Sequence, residues 1–409
     1  MTGRLVVVGA SAAGIAAAAG AREGGWDREI VVVGDEPHAP YERPPLSKAL
    51  LRGSGQALTP LLNDERAARL GLRLLLGQRV TELDVAGHRV RLDAGDWLSA
   101  DGVVLATGAG PRALPVPGAD AAGVYRLRSL ADAAALSGGL DRDGPVVIIG
   151  AGFIGLEVAC AARARGRPVT VVEAAAVPLP AVGGTAIGEW FRSRHEERGV
   201  TFATSARVTT LDQDAQGRVT GVTLGTGVSL PASTVVVGVG AVPRDELAVA
   251  AGLRTDDGIA VDRTGRTSDP WVYAAGDVAS HLADGGRMRT EHWNAAAEQG
   301  HAAGRSIAGL STPWDSVPYF WSTQYGLMLQ VFGRPRAGQE LIIRQQEPGR
   351  ACWIWLQENR VTAIAGVGCP REVRAGRGLI ADFVVVSADQ VGDPNISLAA
   401  LRQLPRAAP

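Results

Sequence analysis

The sequence predicts an α/β protein with two dinucleotide-binding βαβ units and a small C-terminal α+β domain. Three observations carry this. Val146-Val147-Ile148-Ile149 runs straight into Gly150, Gly152 and Gly155, and an apolar helical pattern follows. Residues 4–14, Arg-Leu-Val-Val-Val-Gly-Ala-Ser-Ala-Ala-Gly, repeat the theme more loosely. At 409 residues the chain is too long for one core, so two or three domains are expected.

The totals narrow the function classes. The formal net charge is −1, so no global field favours nucleic acid, and no apolar run is long enough for a membrane span. The first strand begins at Arg4 with no signal-peptide pattern before it, giving the expectation of a soluble cytoplasmic protein. The three cysteines, Cys160, Cys352 and Cys369, form no CxxC or CxxxxC pair. That argues against a redox-active disulfide and a cysteine-bound iron–sulfur cluster. Cys160 reads as a small buried hydrophobe. His292 and His301 lack a third ligand at metal spacing, so no metal site is expected.

In chain order, Gly9 and Gly14 take the first and third positions of a Rossmann-like glycine turn, with Ser11 at the middle one. The strand Glu29–Val33 then ends in Gly34-Asp35-Glu36, acidic residues placed for ribose hydroxyls. The loop Pro40-Tyr41-Glu42-Arg43-Pro44-Pro45-Leu46-Ser47-Lys48 is stiffened by prolines and holds two cations, Arg43 and Lys48. It reads either as a rigid surface loop or as a functional one. Val103–Leu105 is a buried strand ending in the small-residue turn Ala106-Thr107-Gly108. Residues 111–118 form a proline-rich crossover.

In the second unit, Gly150 permits the tight turn. Gly152 admits a pyrophosphate to the backbone, and Gly155 lets helix pack on strand. Val169–Val172 ends in Glu173, placed for the adenine ribose. Glu157, a carboxylate in an apolar first helical turn, is the odd residue. Val235–Val239 closes this unit, followed by Gly240. A short strand over 271–277 stops at Gly276-Asp277, and Glu291-His292-Trp293-Asn294 opens a helix to about Leu310. Strands over 341–344, 352–356 and 361–367 and a helix near 373–383 make the last domain.

The chain resembles the flavoprotein NADH-dependent ferredoxin reductases of the putidaredoxin reductase and biphenyl dioxygenase reductase type. The resemblance rests on Tyr41-Glu42-Arg43-Pro44-Pro45-Leu46-Ser47-Lys48, on Tyr-Ala-Ala-Gly-Asp at 273–277, on Glu-His-Trp-Asn-Ala at 291–295 and on Phe-Trp-Ser-Thr-Gln-Tyr at 320–325. It runs from Arg4 to about Leu404. It implies a glutathione reductase-like layout: an FAD domain from 1–111 and 245–318, an NADH domain from 112–244, and a C-terminal domain over 319–409. Carried onto this sequence, Ala13, Asp35, Glu36, Arg43, Lys48, Val80, Arg128, Asp277, Trp293 and Trp321 would line FAD. Gly9, Gly14 and Ala106 join them as small residues of the turns. Gly150, Gly152, Phe153, Ile154, Gly155, Glu157, Glu173, Gly240 and Glu291 would line NADH. Ser11, Thr323 and Gly326 depart from the family pattern, the last two near the expected partner-facing rim.

The resemblance implies hydride transfer from NADH to FAD, then single-electron transfers to a [2Fe-2S] ferredoxin serving a cytochrome P450 or a ring-hydroxylating oxygenase. A homodimer is compatible with this layout. Lys48 and Glu157 are expected to pair at the reacting centre as catalytic groups. A rubredoxin reductase, or a redox-controlled binding protein resembling apoptosis-inducing factor, are the alternatives. Residues 334–377 hold eight arginines and four glutamates, an excess of +4, which reads either as a docking charge for an acidic ferredoxin or as a solvated mixed surface.

Overall fold

The computed structural model describes residues 3–53, 58–283, 286–347 and 349–406. The chain divides into two compact units. One comprises Met1–Pro44, Ala57–Gly110 and Ala241–Ser316, the other Pro45–Gln56, Pro111–Gly240 and Val317–Pro409.

The first unit is built on a five-stranded parallel sheet. Its order is Val272–Ala274, Gly102–Leu105, Arg4–Val8, Glu29–Gly34, Leu72–Leu76. Beyond Arg4 and Glu29, which pair at their start, the central strands are apolar because both faces are covered. One cover is the helix Ala12–Glu23, packed closely on the helix Trp293–Arg305. Small residues permit that approach. A Cβ on Gly300 would lie 2.1 Å from the carbonyl oxygen of Ala13, and one on Gly304 2.0 Å from that of Ala17. A three-stranded antiparallel sheet, Val80–Asp84, Arg89–Leu92 and Trp97–Ser99, shares the core on the other side through Val80, Leu83, Val90 and Leu92.

The second unit holds a parallel sheet in the order Val200–Ala203, Val169–Val172, Val146–Ile149, Thr234–Val237, Val124–Tyr125. It also holds a five-stranded antiparallel sheet in the order Tyr319–Gln324, Leu327–Gly333, Arg360–Val367, Arg350–Gln357, Glu340–Glu347. The helix Pro370–Ala381 lies on that sheet with Gly376 against Ile364, where a Cβ would come within 2.5 Å of the Ile364 side chain.

Several boundaries differ from expectation. The helix expected to open at Glu291 and run to about Leu310 is α-helical only from Trp293 to Arg305. A π turn, Ser306–Leu310, follows, in which Gly309 takes φ +102° and stops the helix. The last helix starts earlier than expected, at Pro370, because proline is tolerated in a first turn, and Phe383 at φ +51° lies just past its end. The strand expected over 341–344 extends to Glu340–Glu347. The segment 45–53 clusters with the second unit rather than with the residues before it.

Candidate functional site

In each unit the candidate residues gather at the C-terminal ends of the parallel strands, where open α/β sheets take ligands. In the first unit Gly9 has φ +118°, and a Cβ there would strike the Ala106 carbonyl oxygen at 2.1 Å. Gly14 packs on the Gly9 carbonyl, where a Cβ would come within 1.8 Å. Gly276, at φ +81°, brings the Gly276-Asp277 turn against Ala13, 2.8 Å from the Ala13 Cβ to a Cβ at 276. Trp293 packs on the same apolar cluster as Ala13 and Ala106. Gly9, Ala13, Gly14, Ala106, Asp277 and Trp293 therefore come together around the N-terminus of the helix Ala12–Glu23. Its N-cap Ser11 makes no side-chain cap, so first-turn N–H groups remain for an acceptor such as a pyrophosphate.

Asp35 and Glu36 follow the next strand. Glu36 accepts from Arg43 Nη2 at 2.7 Å and from the Tyr41 hydroxyl at 2.6 Å, so it ties down the proline-rich loop. Asp35 lies 3.6 Å from Arg79 and 3.5 Å from Arg244. Val80 is buried in the core behind this edge. Glu291 is exposed and paired with Arg289 Nη1 at 2.5 Å. It belongs to the first unit, whereas the other residues expected to line NADH belong to the second.

In the second unit Gly150 takes φ +103°, and Gly155 presses on the Gly150 carbonyl, where a Cβ would come within 2.1 Å. A Cβ on Gly152 would meet nothing, which leaves the N-terminus of the helix Phe153–Ala164 open to an approaching phosphate. The glycine turn is fastened to Glu173. Its carboxylate accepts the Ala151 N–H at 2.7 Å and the Ala175 N–H at 2.8 Å, and is half-buried with acceptor capacity left. Ile154 is exposed, and Phe153 stacks obliquely on Phe320 at 5.2 Å. Gly240, at φ +108°, accepts from the Arg112 N–H at 2.9 Å. Arg128 directly precedes Ser129, the N-cap of the helix Leu130–Asp141. These residues fit a dinucleotide, as do those of the first unit.

The centre of the second unit is a buried ion pair. Glu157 is 4% exposed, and Lys48 Nζ donates to its Oε2 at 2.8 Å. Two hydroxyls join in: Ser47 donates to Oε2, and Ser322 to Oε1 at 2.6 Å. A buried carboxylate is costly unless paired and hydrogen-bonded, and here it is both. Sequence reasoning picked out Lys48 and Glu157 but missed Ser47 and Ser322. It also missed Gln324, whose amide nitrogen donates to Ser322 Oγ at 3.2 Å, and His195, whose Nε2 lies 2.8 Å from the Gln324 amide oxygen. Burial lowers the His195 imidazole to about 4, the Gln324 hydrogen bond raising it only in part. Trp321 lies on the opposite face of the same strand, stacked at 5.7 Å on Tyr319. Burial pushes the Cys160 thiol up to about 12, so it is a buried side chain and not a nucleophile.

The arginine excess over 334–377 does not survive as a single surface charge. Arg344 donates to the carbonyls of Val391, Asp393 and Ile396 as a structural anchor. Arg350 pairs with Glu372, Arg360 pairs with Glu358, and Arg334 is half-buried. Arg371, Arg374 and Arg377 remain exposed on the helix Pro370–Ala381. Among the described residues no three His, Cys, Asp or Glu side chains cluster to hold a metal, and no helix is long and apolar enough to cross a membrane.

A family model described as pyridine nucleotide-disulphide oxidoreductase matches residues 3–300, and one described as reductase C-terminal matches residues 319–402. Rhodocoxin reductase of Rhodococcus erythropolis is 37% identical over 403 residues, covering 96% of this chain and 93% of its own. The ferredoxin–NAD(+) reductase component of the biphenyl dioxygenase system of Paraburkholderia xenovorans is 34% identical over 401 residues, covering 97% and 98%. Among solved structures, the covalent putidaredoxin reductase–putidaredoxin complex matches with a TM-score of 0.93 at 34% identity, over 98% of both chains.

Proposed function

The chain belongs to the pyridine nucleotide-disulphide oxidoreductases, with their reductase C-terminal domain, and we propose that it is an FAD-dependent NADH:ferredoxin reductase for a cytochrome P450 or ring-hydroxylating oxygenase system. The observation that carries the reading is the buried Lys48–Glu157 pair. It stands in the first turns of the helix that opens from Gly152, where a bound NADH would lay its pyrophosphate. Among the described residues no paired thiols stand near that glycine turn to relay electrons by disulfide exchange. Cys160 is the free cysteine of that helix, and it is buried.

FAD, when bound, accepts the hydride and passes electrons singly, so the protein supplies binding, orientation and electrostatics. The first-unit edge formed by Gly9, Ala13, Gly14, Asp35, Glu36, Ala106, Asp277 and Trp293 would hold FAD, together with Arg43 and Val80 of the same unit. The second-unit edge formed by Gly150, Gly152, Phe153, Ile154, Gly155, Glu173 and Gly240 would hold NADH. The corresponding domains are 1–111 with 245–318 for FAD, 112–244 for NADH, and 319–409 C-terminal. Lys48 places a fixed cation at the reacting centre, favouring negative charge as it develops there. Glu157 holds that cation in position, and the two serine hydroxyls keep the carboxylate from turning.

Arg163, Arg165 and Arg167 are the nearby cations in sequence that could accept a 2′-phosphate. Each is engaged elsewhere: Arg163 with the Arg198 and Arg167 carbonyls, Arg165 with Leu51, Ser137 and Asp141, and Arg167 with Leu140 and Asp143. That supports NADH over NADPH. The test is anaerobic: the flavin-loaded protein should be bleached by NADH and then reduce a [2Fe-2S] ferredoxin catalytically. Reduction of a rubredoxin but no ferredoxin would replace the acceptor. Bleaching without turnover on either protein, with NADH-dependent self-association, would overturn the reductase reading.

A further inference from the structure

The strand Tyr319–Gln324 turns polar residues inward. Phe320, Ser322 and Gln324 are its buried positions, while Tyr319, Trp321 and Thr323 are less covered. A strand that buries a serine and a glutamine while leaving a tryptophan on the wetter face inverts the usual pattern, and buried polar groups demand partners. The partners here form a continuous line. Ser322 reaches Glu157, Gln324 reaches Ser322, His195 reaches Gln324, and the Tyr325 hydroxyl lies 3.2 Å from His195 Nδ1.

The direction of every proton in that line follows from its end. The Glu157 carboxylate, paired with Lys48, can only accept. Ser322 has one hydroxyl proton and gives it to Glu157, so its oxygen can only accept from Gln324. The Gln324 amide nitrogen therefore faces Ser322, and its oxygen faces His195. His195 must then carry its proton on Nε2, which leaves Nδ1 to accept from Tyr325. Burial holds the imidazole neutral at ordinary pH, as this arrangement needs. Tyr325 and Gly326, at φ +50° and +81°, form the two-residue turn that leads into the strand Leu327–Gly333. Every donor points toward Glu157.

We propose that Ser322, Gln324 and His195 are positioning residues for the reduction by NADH: a one-way chain of hydrogen bonds, anchored at the hairpin turn, that fixes the rotamer of the Glu157 carboxylate and through it the place of the Lys48 ammonium. The proposal rests on the reading of Lys48 and Glu157 given above. Gln324 donates to Ser322 and His195 to Gln324, so both act through Ser322.

Two measurements on the flavin-loaded protein test it. Nitrogen-15 NMR of histidine-labelled protein, with His195→Gln to assign the signal, should show the Nε2–H tautomer at His195, and Gln324→Leu should abolish that preference. A proton on Nδ1 in the wild type overturns the chain. In stopped flow, Ser322→Ala and Gln324→Leu should each lower the limiting rate of flavin reduction, Ser322→Ala by about tenfold for one lost bond to a charged group. The NADH concentration for half-saturation should move far less. Ser322→Thr, which keeps the hydroxyl, should recover the rate. In a Glu157→Gln background, Ser322→Ala should have no further effect. An undiminished effect there overturns the action through Glu157. If Ser322→Ala fails to retain flavin, Gln324→Leu is read in the same way. Glu157→Gln with a wild-type rate would instead sink the assignment of the ion pair itself, a result separate from the tautomer.

Discussion

Replacing Lys48 by Met should separate the stability of the buried pair from its chemistry. The substitution keeps most of the aliphatic stem and removes the cation, leaving Glu157, 4% exposed, without its ammonium partner. Removing one member of a buried ion pair costs about 3–5 kcal/mol. Here the Lys48 side chain is 20% exposed, and Ser47 and Ser322 still donate to the carboxylate. The loss therefore belongs at the lower end, about 3 kcal/mol. Lys48→Met/Glu157→Gln removes both charges and should recover most of that stability, since a neutral amide can be satisfied by the same serines. It should not recover the rate. Flavin reduction by NADH should stay slowed about tenfold or more in both variants, a barrier increase of at least ~1.4 kcal/mol, and the flavin potential should fall. Urea denaturation of the loaded protein gives the first quantity, stopped flow the second. A double variant no more stable than Lys48→Met, or a wild-type reduction rate in Lys48→Met, would refute the reasoning.

His195 should make the protein acid-sensitive. Its folded-state value of about 4 lies below the ordinary 6.5, so the unfolded chain takes up the proton first, and stability falls as pH drops through that window, by about 3 kcal/mol in all. His195→Gln should flatten the difference in melting temperature between about pH 7 and about pH 5, and an equal drop in both proteins would contradict the assignment. Wild type should favour NADH over NADPH in kcat/KM. Glu173→Ala should narrow the gap, since like-charge repulsion of a 2′-phosphate costs on the order of a few kcal/mol in a partly desolvated site; equal use of both by the wild type would remove Glu173 from the ribose. Reversing Arg371, Arg374 and Arg377 to Glu should slow ferredoxin reduction and flatten its salt dependence while leaving flavin reduction by NADH unchanged. A rate indifferent to both salt and reversal would place the docking charge elsewhere.

The parallel strands and their glycine turns were legible because their requirements are local. Gly9 and Gly150 have φ values that side chains rarely adopt, and Gly14 and Gly155 sit where a Cβ would strike the carbonyl of the first glycine of the turn, so each motif states its geometry within a dozen residues. Lys48 and Glu157 were legible for a different reason: each is a charged residue where its neighbours are apolar or rigid. What surrounds them was not legible. Ser47 and Ser322 lie 110 and 165 residues from Glu157 in sequence, and nothing near either announces the contact. Alternation along residues 319–324 marks two faces, but the aromatic side chains at 319, 320 and 321 leave open which one is buried. The arginine sum overcounts in the same way, because composition takes Arg344 as surface charge when its guanidinium is closing a turn of backbone carbonyls. Once a carboxylate is known to be buried, its oxygens require donors, and those donors require partners of their own. Glu157 thus dictates a serine, the serine a glutamine, and the glutamine a histidine, which is why a strand that should bury apolar residues buries Ser322 and Gln324 instead.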